Sequence, residues 1–145
     1  MAIRVCPYVV HSFFVIIGDV YLWRIGKSTV GKEATMLAFI FYLTNRVQNS
    51  LISRPFTNSI EEILTIVAFY FYQKVDKHLS LNTAIFTALV SLQFVMRNTS
   101  PIGWIPLLFI KVFRDGSLLP FIATAICVAL PIVVGATYLD SVFYS

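Results

Sequence analysis

Apolar positions in this chain fall in long blocks. They follow neither the alternating rhythm of a half-buried strand nor the one-sided stripe of a surface helix. Leu118 to Leu139 runs twenty-two residues without a charge. As a helix rising 1.5 Å per residue it reaches about 33 Å, enough for a bilayer core of about 30 Å. Leu79 to Met96 is a second uncharged run of eighteen, and Tyr8 to Ile25 is as long but holds His11, Asp19 and Arg24. Shorter runs cover Ala34 to Thr44, Ile63 to Gln73 and Ile102 to Ile110. The pattern predicts an all-α, multi-spanning membrane bundle of about six helices. With no internal repeat and no low-complexity linker, residues 1–145 read as one transmembrane domain.

Composition narrows the class further. Of the 145 residues 58% are hydrophobic and only 12% charged, about half the charge of a soluble domain. The mean hydropathy is +0.81. A soluble globular enzyme, a disordered tail and a disulfide-stapled secreted domain are excluded on these figures. Cys6 and Cys127 stand far apart, without metal-ligand or CxxC spacing, and read as small apolar residues of membrane helices. His11 and His78 have no second ligand one turn away, so no metal site is expected.

The net charge of +4 comes from Lys and Arg scattered singly between apolar runs, the pattern of sorted loops and not of a nucleic-acid patch. Loops after the first, third and fifth runs carry Arg24, Lys27, Lys32, Lys74, Lys77, Lys111 and Arg114. The other side carries Arg4, Arg46, Arg54 and Arg97. The positive-inside rule puts the first set in the cytoplasm. The N-terminus then falls on the far side with no signal peptide ahead of Tyr8, which points to a further span upstream.

Polar groups concentrate at Arg54-Pro55-Phe56-Thr57-Asn58-Ser59-Ile60-Glu61-Glu62. In a helix from Pro55, Asn58, Glu61 and Thr65 share one face with Arg54 at its head. A cation, an amide and a carboxylate at one membrane boundary suit a phosphate-bearing lipid or a sugar hydroxyl. The same stretch also fits plain helix initiation, with Pro55 at the first turn and Ser59 to Glu62 in the form of a capping box. Arg97 ends the run Leu79 to Met96, either as a snorkelling anchor or as a second phosphate contact. Asp19 has Arg24 as its nearest charged neighbour, and is either its partner or a buried polar contact. From the residues alone no reaction follows.

Those residues carry a resemblance. Ser53-Arg54-Pro55-Phe56-Thr57-Asn58-Ser59-Ile60-Glu61 followed by Leu64-Thr65-Ile66 resembles a segment of eukaryotic polyprenyl-phosphate-mannose-dependent mannosyltransferases, those of glycosylphosphatidylinositol assembly above all. Met96-Arg97-Asn98-Thr99-Ser100-Pro101-Ile102-Gly103-Trp104-Ile105-Pro106-Leu107-Leu108-Phe109 is similar to another, and Leu139-Asp140-Ser141-Val142-Phe143-Tyr144-Ser145 to a third. Asp19-Val20-Tyr21 matches a weaker acidic-x-Tyr pattern. The segments occur in the family's order across nearly the whole chain.

The resemblance implies a GT-C type fold in the endoplasmic reticulum membrane. It implies transfer of mannose from dolichyl-phosphate mannose to a glycosylphosphatidylinositol precursor at the lumenal face, with no cofactor beyond the lipid-linked donor. Membrane lipid and a glycolipid acceptor are the implied partners. Carried over by position, Arg54, Asn58, Glu61, Arg97 and Asp140 are the candidate substrate-binding residues. No catalytic residue carries over, because the family's acidic loop matches no position here. Asn98 also stands where the family has Pro, and Ser145 where it has Gly. The chain therefore reads as an interior piece of a longer enzyme, inactive alone. The alternatives are a relative acting on N-glycan precursors or on a fourth mannose, and a small membrane transporter or assembly subunit.

Overall fold

The computed structural model describes residues 2–45, 57–75, 80–97, 99–115 and 122–144, and among these every regular element is helical. They form α1 (Ala2–Thr29), α2 (Lys32–Thr44), α3 (Thr57–Gln73) and α4 (Leu81–Met96). A 3-10 turn (Ser100–Trp104) leads into α5 (Ile105–Asp115), and a π turn (Ala125–Ala129) leads into α6 (Leu130–Tyr144). The helices gather into two compact units, residues 1–70 and 71–145.

In the first unit α1 and α2 make an antiparallel hairpin. Gly31, the N-cap of α2, takes φ 89° and ψ 170°, a backbone conformation essentially open to glycine alone, and Val30 N–H returns to the Gly26 carbonyl at 2.9 Å. The contacts then run in opposite directions along the two helices: Gly26 meets Thr35, Trp23 meets Phe39, and Asp19 meets Tyr42. Gly26 permits the close start of this pairing, since a Cβ there would stand 2.6 Å from the Thr35 methyl. α3 lies along α1 in the parallel sense, with Gly18 against Ile63 and Tyr21 edge-on to Tyr70 at 4.9 Å. Two reversals in three helices are the up-down-up course expected of consecutive crossings.

The second unit is built around α4, capped by Ser80, whose side chain accepts from Thr83 N–H. This helix inverts the soluble pattern. It buries Thr83, Thr87, Ser91 and Gln93 with Phe86, and exposes Leu81, Leu92, Phe94, Val95 and Met96. The Thr87 and Ser91 hydroxyls donate to carbonyls one turn back at 2.8 and 2.7 Å, so each is satisfied within its own helix. Apolar outside and polar inside, with the hydroxyls satisfied, is the arrangement a lipid solvent favours. α4 packs against α6 and against both short turns. The π turn ends just before Pro131, which has no N–H for the Cys127 carbonyl and whose ring crowds it. One widened turn relieves that clash.

Among the described residues two helices are long and apolar enough to cross a membrane, Cys6–Thr29 and Ile122–Phe143, and Leu81–Met96 is a shorter apolar helix. The expected capping box at Ser59 is corrected. α3 already begins at Thr57, so Ser59 is an interior, buried residue of its first turns and does not stand at the N-cap position.

Candidate functional site

The first unit supplies Asn58 and Glu61, one helical turn apart near the start of α3. Asn58 is exposed and Glu61 half-buried, while the Thr65 hydroxyl is taken up by the Glu61 carbonyl at 2.7 Å. The face expected from their spacing therefore forms. Arg54 and Pro55, its expected head, lie outside the described residues. Deeper in the unit, the Tyr42 hydroxyl donates to the Asp19 carboxylate at 3.0 Å. Of the two readings open for Asp19, the buried polar contact holds. Arg24 instead lies over the Tyr21 ring, 5.6 Å from its centre.

The second unit supplies Arg97 and Asp140. Arg97 is the exposed C-cap of α4, where the chain leaves the helix in extended conformation. Its N–H closes the helix on the Gln93 carbonyl at 2.8 Å. From Arg97 the chain passes Thr99 and tightens into the 3-10 turn, which swings Trp104 back into the unit. Trp104 is buried and its indole N–H donates to Gln93 Oε1 at 2.9 Å. Its ring meets Phe86 edge-on at 5.3 Å and lies 6.3 Å from that of Tyr72. Asp140 is exposed near the end of α6.

A reciprocal clasp joins the end of α3 to α5 in this unit. Tyr72 donates its hydroxyl to the Leu107 carbonyl, and Lys111 donates its ammonium to the Tyr72 carbonyl, each at 2.7 Å. The ammonium also stands 4.7 Å from the centre of the Tyr72 ring. A cation among the last carbonyls of α3 is well placed for the helix dipole and the ring together. On the outer face of the last helix, Ile122, Ile126, Ala129, Leu130, Val133 and Val134 line a shallow, wholly apolar groove of about 420 Å³.

Sequence reasoning missed Gln93, Trp104, Tyr72, Lys111 and Tyr42 as organising residues. The signal for Gln93 was present: with Thr83, Thr87 and Ser91 it is a polar position inside an otherwise apolar run. Tyr72 and Lys111 gave none, being 39 residues apart. Among the described residues no group of three or more His, Cys, Asp or Glu side chains could hold a metal ion.

The family profile described as "Alg9-like mannosyltransferase family" matches residues 1–145. The chain belongs to the Alg9-like mannosyltransferases. Among curated members it is 30% identical over 103 residues to the GPI alpha-1,2-mannosyltransferase 3 of Bos taurus, covering 71% of this chain and 19% of that protein. It is 30% identical over 105 residues to the GPI mannosyltransferase 3 of Yarrowia lipolytica, 70% of this chain and 20% of that protein. To the mannosyltransferase APTG1 of Arabidopsis thaliana it is 24% identical over 142 residues, 95% of this chain and 26% of that protein. The aligned stretch thus spans about a fifth of the length of the first two relatives and about a quarter of the third. No solved structure matches.

Proposed function

We propose that this chain forms part of the membrane module of a GT-C type glycosyltransferase. The enzyme moves mannose from dolichyl-phosphate mannose to a glycosylphosphatidylinositol precursor at the lumenal face of the endoplasmic reticulum. The carrying observation is the roughly 30% identity to GPI mannosyltransferase 3 proteins over about 70% of the chain, inside a family match over all of it. In the reaction an acceptor hydroxyl oxygen attacks the anomeric carbon. The bond from that carbon to the phosphate oxygen breaks, and the hydroxyl proton passes to a carboxylate base. Dolichyl phosphate leaves, and the anomeric centre is inverted.

The residues of this chain serve binding in that scheme. Arg97 is the candidate contact for the donor phosphate, where a guanidinium's planar donors match the oxyanion; Arg54, outside the described residues, is a second candidate on its residue type alone. Asn58 and Glu61, on one turn of α3, suit sugar hydroxyls, and Asp140 is the candidate polar contact of the second unit. The apolar groove along the last helix offers the polyprenyl chain a track of branched side chains. Six crossings fit this reading. α3 and α4, at about 26 and 24 Å, approach the thin reticulum bilayer of about 27 Å. α2 and α5 are shorter and cross only within the cover of their neighbours.

The test is saturation binding of radiolabelled dolichyl-phosphate mannose to the full chain in lipid nanodiscs. Binding is expected to be saturable, and to weaken about tenfold or more in Arg97→Ala, the cost of a charge-assisted contact. No saturable binding above empty nanodiscs overturns the reading.

A further inference from the structure

We infer that the side-chain amide of Gln93 is a ligand-binding group that donates to an oxygen of the polyprenyl-phosphate sugar headgroup, one helical turn below Arg97. The inference rests on the donor reading just given and adds a residue to it.

The indole of Trp104 has a donor and no acceptor, so its bond to Gln93 fixes which way the amide is turned. Oε1 faces Trp104, and Nε2 with its two hydrogens faces away. Gln93 is completely buried, and Nε2 has no hydrogen-bond acceptor among the described residues. Every other hydrogen-bonding group named along this helix is spoken for: Thr83 and Ser80 pair with each other, and Thr87 and Ser91 donate to backbone carbonyls. A buried, unmet donor is costly in an apolar surrounding and is rare in native proteins. A leucine or methionine would fill the same space at no such cost, unless the amide meets an acceptor brought from outside.

Position says which acceptor. Gln93 lies four residues before Arg97, on the same side of α4 where that helix ends. Met96, Arg97 and Thr99 are exposed there, so this is the end of the unit a polar headgroup can approach. A cation and an oriented amide donor one turn apart form a pair for an oxygen-rich anion. Because Nε2 is buried, an entering oxygen displaces packed side chains to reach it, but it takes no acceptor's place there. Trp104 is then a positioning residue: it touches no headgroup oxygen, but it turns the amide toward one.

The experiment uses the full chain in nanodiscs and radiolabelled short-chain polyprenyl-phosphate mannose as probe. Gln93→Met alone would strand the Trp104 N–H, so it is paired with Trp104→Phe. Removing both partners together leaves no unmet group and spares the fold. Gln93→Glu is the second variant: it keeps the shape and the acceptor for Trp104 but puts a carboxylate oxygen where the donors were. Both are expected to bind the probe about tenfold more weakly or worse than the unsubstituted chain, and the paired variant, which carries no unmet buried group, to unfold no earlier than that chain. Competition with polyprenyl phosphate lacking mannose separates the two oxygen sources. Equal weakening toward that competitor assigns the amide to the phosphate, and weakening toward the mannosylated lipid alone assigns it to the sugar. Binding within twofold of the unsubstituted chain in either variant overturns the inference and leaves the donor reading standing. Absence of probe binding by the unsubstituted chain overturns both.

Discussion

Asp19 shows what single residues do in this chain. A carboxylate inside an apolar helix needs a partner, and Tyr42, 23 residues on, supplies an O–H from the returning helix. The need was legible in the sequence, because Asp19 interrupts an apolar block. The partner was not, since Tyr42 ends its own run among other aromatic residues and only the hairpin brings it near. Arg24, the nearest cation, sits over Tyr21 instead, where ring and guanidinium attract without drawing the charge inward. Tyr42→Phe should cost about 1 kcal/mol, between the ~0.6 kcal/mol of average hydrogen bonds inside membranes and the ~1.5–3 kcal/mol of bonds to charged groups. SDS-driven unfolding in mixed micelles measures it. In the double variant with Asp19→Asn the two costs should fall short of adding, and strict additivity would remove the bond from the account.

At the scale of elements, close approach at small residues does much of the work. Gly26 stands so near Thr35 that any side chain there meets the Thr35 methyl and hydroxyl, and that hydroxyl is already held by the Gly31 carbonyl at 2.6 Å. Gly26→Leu should therefore destabilise the α1/α2 hairpin by about 1–3 kcal/mol, the usual cost of overpacking. Thr35→Ala should recover part of it, and the same unfolding assay reads both. Loss of stability that Thr35→Ala leaves untouched would place the strain elsewhere. Helix existence was legible here, because long uncharged runs have few other solutions. Helix starts were not: Ser59 to Glu62 spells a capping box, yet the helix has already begun at Thr57. Such a motif describes a possible local bond, and the chain used an earlier start. The inward polar face of α4 left a weaker mark, because Thr, Ser and Gln interrupt an apolar run without adding charge to it.

For the whole molecule, apolar surface is the governing fact. Large side chains stand exposed along α1, α2 and the last helix, from Phe13 and Phe41 to Phe143, as lipid-facing residues do. That much was readable from composition, and the mannosyltransferase family from the resemblance of four ordered segments. Gln93 and its indole partner were not, because their meaning depends on a turn that folds Trp104 back over eleven residues. In the proposed function these residues build part of an enzyme adding mannose to a glycosylphosphatidylinositol precursor. The most direct measurement replaces the matched region of the Bos taurus relative with this chain, in cells lacking that relative's activity. Labelled mannose is then followed into glycosylphosphatidylinositol precursors in their microsomes. The account predicts mannose transfer by the chimera, lost on Arg97→Ala. A chimera that inserts at normal abundance yet transfers no mannose would contradict it.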